Sequence, residues 1–193
     1  MSPAFVERLH GINIYLVGMM GVGKSTLGRL LAQQLGYQFF DTDTVIEQAA
    51  KQPIPKIFET QGEDAFRALE TQVLAELSAY TRLTIATGGG IVTRRENWSH
   101  LRQGLVIWLD ISETELLRRL QNDRQRPLLQ TADPQARLRQ LMSERRSRYA
   151  LADLHIAPLA DSTPQQTLDT ILTAIPTVLR SLPALSQPPE ASQ

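Results

Sequence analysis

The sequence predicts an α/β fold, a three-layer α/β/α sandwich in which a parallel sheet lies between helices. Two observations carry this expectation. Short apolar runs rich in β-branched residues alternate with stretches of helical period, in the order βαβα; that is the pattern of parallel strands joined by crossover helices. The apolar runs are also continuous, without the in–out alternation of a strand that has one wet face, as expected for strands covered on both sides.

"INIYLVG" (12–18) is the first strand. From Lys24 the stretch "KSTLGRLLAQQLG" sets Leu27, Leu30, Leu31 and Leu35 on one helical face, and Gly36 stops it. "YQFFDTD" reads as a second strand ending in carboxylates. Helices are expected over 44–51, 54–60 and 63–80, then strands in "RLTIATGGG" and "GLVIWLD". In "SETELLRRLQ", Ser112 and Glu115 have capping-box spacing. Two prolines break "RQRPLLQTADPQA" (124–136), which reads as a mobile loop. A helix resumes in "RLRQLMSERRSRYAL", "LHIAPL" is a fifth strand, and a last helix spans about 164–181. One domain over 1–182 is expected, with a disordered tail over 183–193 that is rich in Pro, Ser and Gln.

Composition bounds the function. The chain's 193 residues, 42% hydrophobic and 21% charged, suit one domain with a sizeable core. Lys plus Arg and Asp plus Glu both number 20, so there is no basic surplus of the kind nucleic-acid binders carry. No apolar run approaches the ~20 residues that span a bilayer. The N-terminal "MSPAFVERLHG" has no basic-then-apolar secretory pattern. The absence of cysteine removes disulfides, thiolate metal sites and a thiol nucleophile. His10, His100 and His155 are too far apart to pair as metal ligands by spacing. A cytoplasmic enzyme or binding domain without nucleic-acid or membrane partners is the expected class.

The strongest motif is "GMMGVGKST" (18–26). Gly18, Gly23, Lys24 and Ser25 satisfy G-x-x-x-x-G-K-[ST] between a buried strand and an amphipathic helix, the context this motif requires. The glycines let backbone N–H groups turn around a phosphate, and the helix N-terminus favours anions. Lys24 supplies a point charge to the β- and γ-phosphates, and Ser25 offers a hydroxyl to Mg²⁺. The turn lacks the G-x-G-x-x-G spacing of a dinucleotide site. ATP or GTP with Mg²⁺ is therefore expected. GTPase base-reading motifs of the N-K-x-D type are absent.

Arg124 and Arg126 in the loop suit a lid that carries a guanidinium to the phosphates and excludes water. Asp41 and Asp43 stand two apart at a strand end, so on extended chain they point the same way. One near Mg²⁺ and one near an acceptor hydroxyl is a functional division; the bland alternative makes Asp43 a helix cap. In "GEDAFRALE", Arg67 and Glu70 have i,i+3 spacing and can pair, blandly as a surface ion pair. Three glycines in "ATGGG" (86–90) let backbone approach a ligand closely. "SERRSRYA" carries Arg145, Arg146 and Arg148, by default a solvated basic face; one of them meeting Arg67 would make a receptor for a carboxylate. Asp110 in "VIWLD" reads as the residue before a capped helix rather than a second metal ligand.

Taken together, "GMMGVGKST", "FFDTD", "GEDAFRALE", "TGGG", "RPLL" and an arginine four before a tyrosine resemble the shikimate kinase family, in its order and approximate spacing, over roughly residues 12–180. The resemblance implies a P-loop kinase fold like the nucleoside monophosphate kinases, with five parallel strands in the order 2-3-1-4-5. It implies transfer of the γ-phosphoryl of ATP to the 3-hydroxyl of shikimate, with ATP and Mg²⁺ as cofactors, by a monomer. Carried over by motif, Gly21, Val22, Gly23, Lys24, Ser25 and Thr26 contact ATP, and Arg119 and Pro164 flank adenine. Ser25 and Asp41 serve Mg²⁺. Asp43 is the candidate base, with Lys24 and Arg126 as its catalytic partners at the phosphates. Arg67 and Arg145 grip the shikimate carboxylate. Gly88, Gly89 and Gly90 line the acceptor site, Phe58 and Phe66 pack near the ring, and Glu70 orients Arg67. The acceptor-binding region is 42–70 and the lid 121–136. One departure stands out: Ser147 and Arg148 occupy positions where many relatives have Pro and Leu. Another small-metabolite kinase of this fold, or a non-catalytic relative, is the alternative.

Overall fold

The computed structural model describes residues 6–121, 127–129, 131, 133–159 and 161–179. Among these, five strands form one parallel sheet: β1 (Ile14–Val17), β2 (Gln38–Asp41), β3 (Leu83–Ala86), β4 (Leu105–Leu109) and β5 (Leu154–Ile156). Their order is β2-β3-β1-β4-β5, as the resemblance implies. The central strand β1 pairs on both edges, Ile14 lying opposite Thr84 of β3 and Leu105 of β4. Every residue of β1, β3 and β4 is buried, which accounts for their largely apolar sequence, Thr84 of β3 being the polar exception.

The helices are α1 (Lys24–Leu35), α2 (Thr42–Ala50), α3 (Ile54–Ser78), α4 (Asn97–Leu101), α5 (Glu113–Leu120), α6 (Pro134–Tyr149) and α7 (Pro164–Val178). Helix α1 buries Leu27, Leu31 and Leu35 from the expected face and ends at Gly36 in the left-handed conformation. Gly28 lets it approach the sheet, since a Cβ there would lie 2.5 Å from the Phe39 ring.

Three details depart from the sequence reading. Helix α2 begins two residues early, because the Asp41 carboxylate accepts the Asp43 N–H at 3.1 Å and caps it. Asp41, not Asp43, is therefore the cap. The helices expected over 54–60 and 63–80 meet end to end in α3, with a kink at Gly62, whose backbone is not helical (φ 82°, ψ 175°). Ser112 caps α5 by accepting the Glu115 N–H, yet the Glu115 carboxylate does not return to close the box. It pairs with Arg118 and Arg119, which hold it down at about 2. The box closes instead at α7, between Thr163 and Gln166. No helix among the described residues is long and apolar enough to cross a membrane. Residues 183–193 lie outside the description.

Candidate active site

In a parallel sheet the loops leaving the strand C-termini gather on one edge, and the ligand crevice forms there. The β1–α1 loop turns through Gly18, Gly21 and Gly23 at φ 141°, 79° and 102°. At Gly18 a side chain would also collide with the Leu109 carbonyl, so sterics and backbone both demand glycine. Helix α1 then starts without a side-chain cap or an acidic first turn, leaving its N-terminal amides to the loop's concavity. Buried Lys24 donates to the Gly18 and Met19 carbonyls at 2.9 and 2.8 Å and so lies folded over the loop. Ser25 donates to the Asp41 carboxylate at 2.5 Å. Gly21, Gly23, Lys24, Ser25 and Thr26 line a cavity of 220 Å³. Val22 sits beneath, its carbonyl accepting from Arg119 at 3.2 Å. Pro164 is the first residue of α7 and lines neither cavity described here.

A second cavity, of 510 Å³, adjoins the first. The two share Met20, Ser25, Asp41, Asp43 and Gly89. The carboxylates of Asp41 and Asp43 therefore stand at the junction, although the pleat does not place them there. Asp41 is extended (φ −112°, ψ 119°) and Asp43 lies in the first turn of α2, so a capping turn brings them together. Thr42 between them is fully buried and accepts the Gly88 N–H at 2.9 Å, fastening the glycine turn to α2. Sequence reading passed over Thr42.

The second cavity is lined by Phe58, Phe66, Arg67, Glu70, Gly88, Gly90 and Arg145 as well. The Phe58 and Phe66 rings pack at 4.8 Å. Arg67 and Glu70 are 6% and 1% exposed and pair directly, so this is a buried ion pair, not a surface one. Burial pushes Glu70 up from the usual carboxylate range while Arg67 opposes it. Burial works against the Arg67 cation, but Glu70 and Glu63 outweigh it and raise its pKa. Glu63 takes the Nε and Nη2 donors of Arg67 at 3.2 and 2.8 Å.

Of the three arginines in "SERRSRYA", at the end of α6, the structure selects one. Arg145, 4% exposed, donates to the Gly89 carbonyl at 3.1 Å. Arg146 turns to Asp110 at 3.4 Å and lies over the Trp108 ring. Arg148 reaches the Thr93 carbonyl. The departure at Ser147 and Arg148 thus leaves Arg145 at the cavity. The glycine turn fits between these groups: a Cβ at Gly90 would strike the Arg67 guanidinium, and one at Gly88 the carboxylates of Glu70 and Asp43. Asp110 is occupied by Arg146 and His155. Leu128, from the "RPLL" segment, also lines the larger cavity. Arg124 and Arg126 lie outside the described residues.

The oxygen donors fit Mg²⁺. Among the described residues no cluster of three His, Cys, Asp or Glu could cage a metal, whereas Ser25 beside Asp41 gives the one or two protein oxygens that Mg²⁺ accepts when phosphates complete its shell.

The family model for shikimate kinase matches residues 20–176. The chain belongs to the shikimate kinase family. A shikimate kinase of Synechococcus elongatus is 54% identical over 178 residues, 92% of this chain and 94% of that one. Among solved structures, a shikimate kinase of Acinetobacter baumannii in complex with shikimate superposes with a TM-score of 0.85 at 39% identity, covering 90% of this chain and 97% of that one. A gluconokinase of Sinorhizobium meliloti, at 16% identity and a TM-score of 0.56 over 89% of this chain and 95% of that one, shares the fold. As a member of the shikimate kinase family the chain is an ATP- and Mg²⁺-dependent kinase of the shikimate pathway.

Proposed function

We propose that the chain transfers the γ-phosphoryl group of ATP to the 3-hydroxyl of shikimate, giving 3-phosphoshikimate and ADP, with the residue roles that follow. One observation carries the assignment of roles: two buried arginines, Arg67 and Arg145, pack against a glycine turn in a cavity that meets the phosphate-loop cavity at Asp43. Shikimate is a carboxylate with three hydroxyls, and planar guanidinium forks with one aspartate form a suitable receptor.

The acceptor carboxylate is held by Arg67 and Arg145, with Gly88, Gly89 and Gly90 as the adjoining wall and Phe58 and Phe66 against the ring. Glu70 keeps the Arg67 fork in place. Asp43 accepts the proton of the attacking hydroxyl as its oxygen bonds to the γ-phosphorus and the bond to the ADP oxygen breaks. Lys24 moves from the Gly18 and Met19 carbonyls to the phosphates. Ser25 and Asp41 hold Mg²⁺, which when bound neutralises and orients the phosphate oxygens. Residues 42–70 form the acceptor-binding region and 121–136 the lid, with Arg126 reaching the transferring group and Leu128 closing on the acceptor. Arg119 beside Val22 suits the adenine side; Pro164 takes its role from the family motif alone. Dependence on ATP and Mg²⁺ suits a cytoplasmic enzyme.

The test is ADP release from Mg·ATP with shikimate, quinate, gluconate or nucleoside monophosphates in parallel. Stimulation by shikimate alone is expected. A response to gluconate or to a nucleotide with silence toward shikimate would overturn the acceptor assignment.

A further inference from the structure

The "arginine four before a tyrosine" of α6 contains a residue to which the reaction assigns no part. Tyr149 is 2% exposed, and its hydroxyl donates to the Gly89 carbonyl at 2.5 Å, 60 residues away in sequence. Arg145 donates to the same oxygen at 3.1 Å. The two side chains lie one helical turn apart on one face of α6, and together they fill both lone pairs of that carbonyl. The hydroxyl also meets the Met19 sulfur at 3.6 Å, so it touches the phosphate loop and the glycine turn at once. The ring is wedged by stacking on Trp108 at 5.8 Å, itself stacked on His155 at 4.1 Å.

We propose that Tyr149 is a positioning residue for the acceptor: its hydroxyl locks the Gly89 carbonyl, and through it Arg145 and the glycine turn, into one fixed seat for the acceptor's carboxylate. This rests on the shikimate reading of the cavity. A peptide unit is planar and trans, so a carbonyl held by two donors fixes the plane of the 89–90 peptide and turns the Gly90 N–H the opposite way. Gly89 lines both cavities, and a Cβ on it would stand 3.3 Å from the Met20 nitrogen. Rotation of this peptide therefore disturbs the wall on which acceptor and phosphates meet. Without the hydroxyl, Arg145 alone among the described side chains holds the carbonyl, and the guanidinium moves whenever the peptide does. Pre-organising the seat removes that ordering cost from acceptor binding. Burial pushes the phenol up to about 12, so it remains a donor throughout the working pH range.

The experiment is Tyr149→Phe, which keeps the ring and its stacking. Shikimate KM, ATP KM, kcat and Tm are measured beside wild type, Arg145→Lys and the double variant. Shikimate KM should rise about three- to tenfold, the range for one buried hydrogen bond, with ATP KM within about twofold and Tm nearly unchanged. The double variant should fall short of the product of the two single effects, because both act on one carbonyl. An unchanged shikimate KM in a responsive enzyme would sink the proposal. So would equal rises in both KM values with a lowered Tm, the pattern of general loosening. A wild-type protein that ignores shikimate would overturn the functional reading itself, and this inference with it.

Discussion

The phosphate side and the acceptor side of the crevice are built in opposite ways. The phosphate side is mainly one stretch, residues 18–26, whose parts touch because they are neighbours in sequence, with Asp41, Asp43, Thr87 and Gly89 completing its cavity. The acceptor side is gathered from distant pieces: the Asp41–Asp43 turn, the 53–70 part of the chain in and before α3, the 88–90 turn, Leu128 and Arg145 on α6. A contiguous site is specified by local backbone geometry. A gathered site is specified by the sheet order that sets β3 beside β1 and β2 beside β3, and its groups are held by one another through Thr42 on Gly88, Arg145 on Gly89 and Glu70 on Arg67. The contiguous site should therefore fail all at once when its one charge is removed, and the gathered site by degrees.

The largest expected effect tests the first half. Lys24→Ala should reduce turnover by roughly a thousandfold or more, as when a transition-state charge is lost, with the fold intact by circular dichroism. A kcat near wild type would end the phosphate assignment. Next, Asp43→Asn should lower kcat about 10²- to 10⁴-fold, the range of general-base catalysis, while nucleotide affinity measured by titration changes little. Comparable losses in both would make Asp43 a metal or structural group instead. Third, Arg67→Ala should raise shikimate KM by several-fold to roughly a hundredfold, as for a lost charged hydrogen bond, whereas Arg146→Ala should leave it within about twofold. Equal effects of the two would dissolve the distinction drawn among the arginines.

The smallest effect concerns stability. Burial pushes the Tyr149 phenol from 10 to about 12. Between those pH values the unfolded chain has lost this proton and the folded one has kept it, so folding stability falls as pH rises through the window and is fully present below it. At 1.36 kcal/mol per unit the loss approaches roughly 2–3 kcal/mol. Denaturant midpoints measured from pH 9 to 12 should decline less steeply in Tyr149→Phe than in wild type. Parallel slopes would remove this account of alkaline behaviour.

The same contrast explains what could be read from the chain. The strand order followed from the family resemblance, and the strands themselves from short, mostly apolar runs. The two helices expected over 54–60 and 63–80 are separated in the structure by the non-helical backbone of Gly62 inside α3. The choice of Arg145 over Arg146 and Arg148 came from motif position; helical spacing alone does not distinguish them, since what separates them is the β4–β5 edge carrying Asp110 and the β3 loop carrying Thr93. Thr42 and Tyr149 gave no local signal of their roles because each acts on a partner that the fold alone brings near, whereas Glu63 stands four before Arg67 and its helical spacing was open to reading. The 3-10 turn at Ile91–Thr93 and the short helix α4 were likewise absent from the sequence reading, being too brief to show a period.

The wall between Arg67 and Arg145 is made of backbone, and a side chain at Gly88 or Gly90 would displace the Glu70 and Asp43 carboxylates or the Arg67 guanidinium, the groups to which we assign the acceptor site. An inhibitor that rests on this wall therefore touches atoms that mutation cannot alter without disabling the enzyme. Escape variants would have to arise among the other side chains that line the cavity, such as Thr44, Glu47, Ile54, Pro55 or Leu128, and a compound that leaves those untouched would leave the chain few routes to resistance.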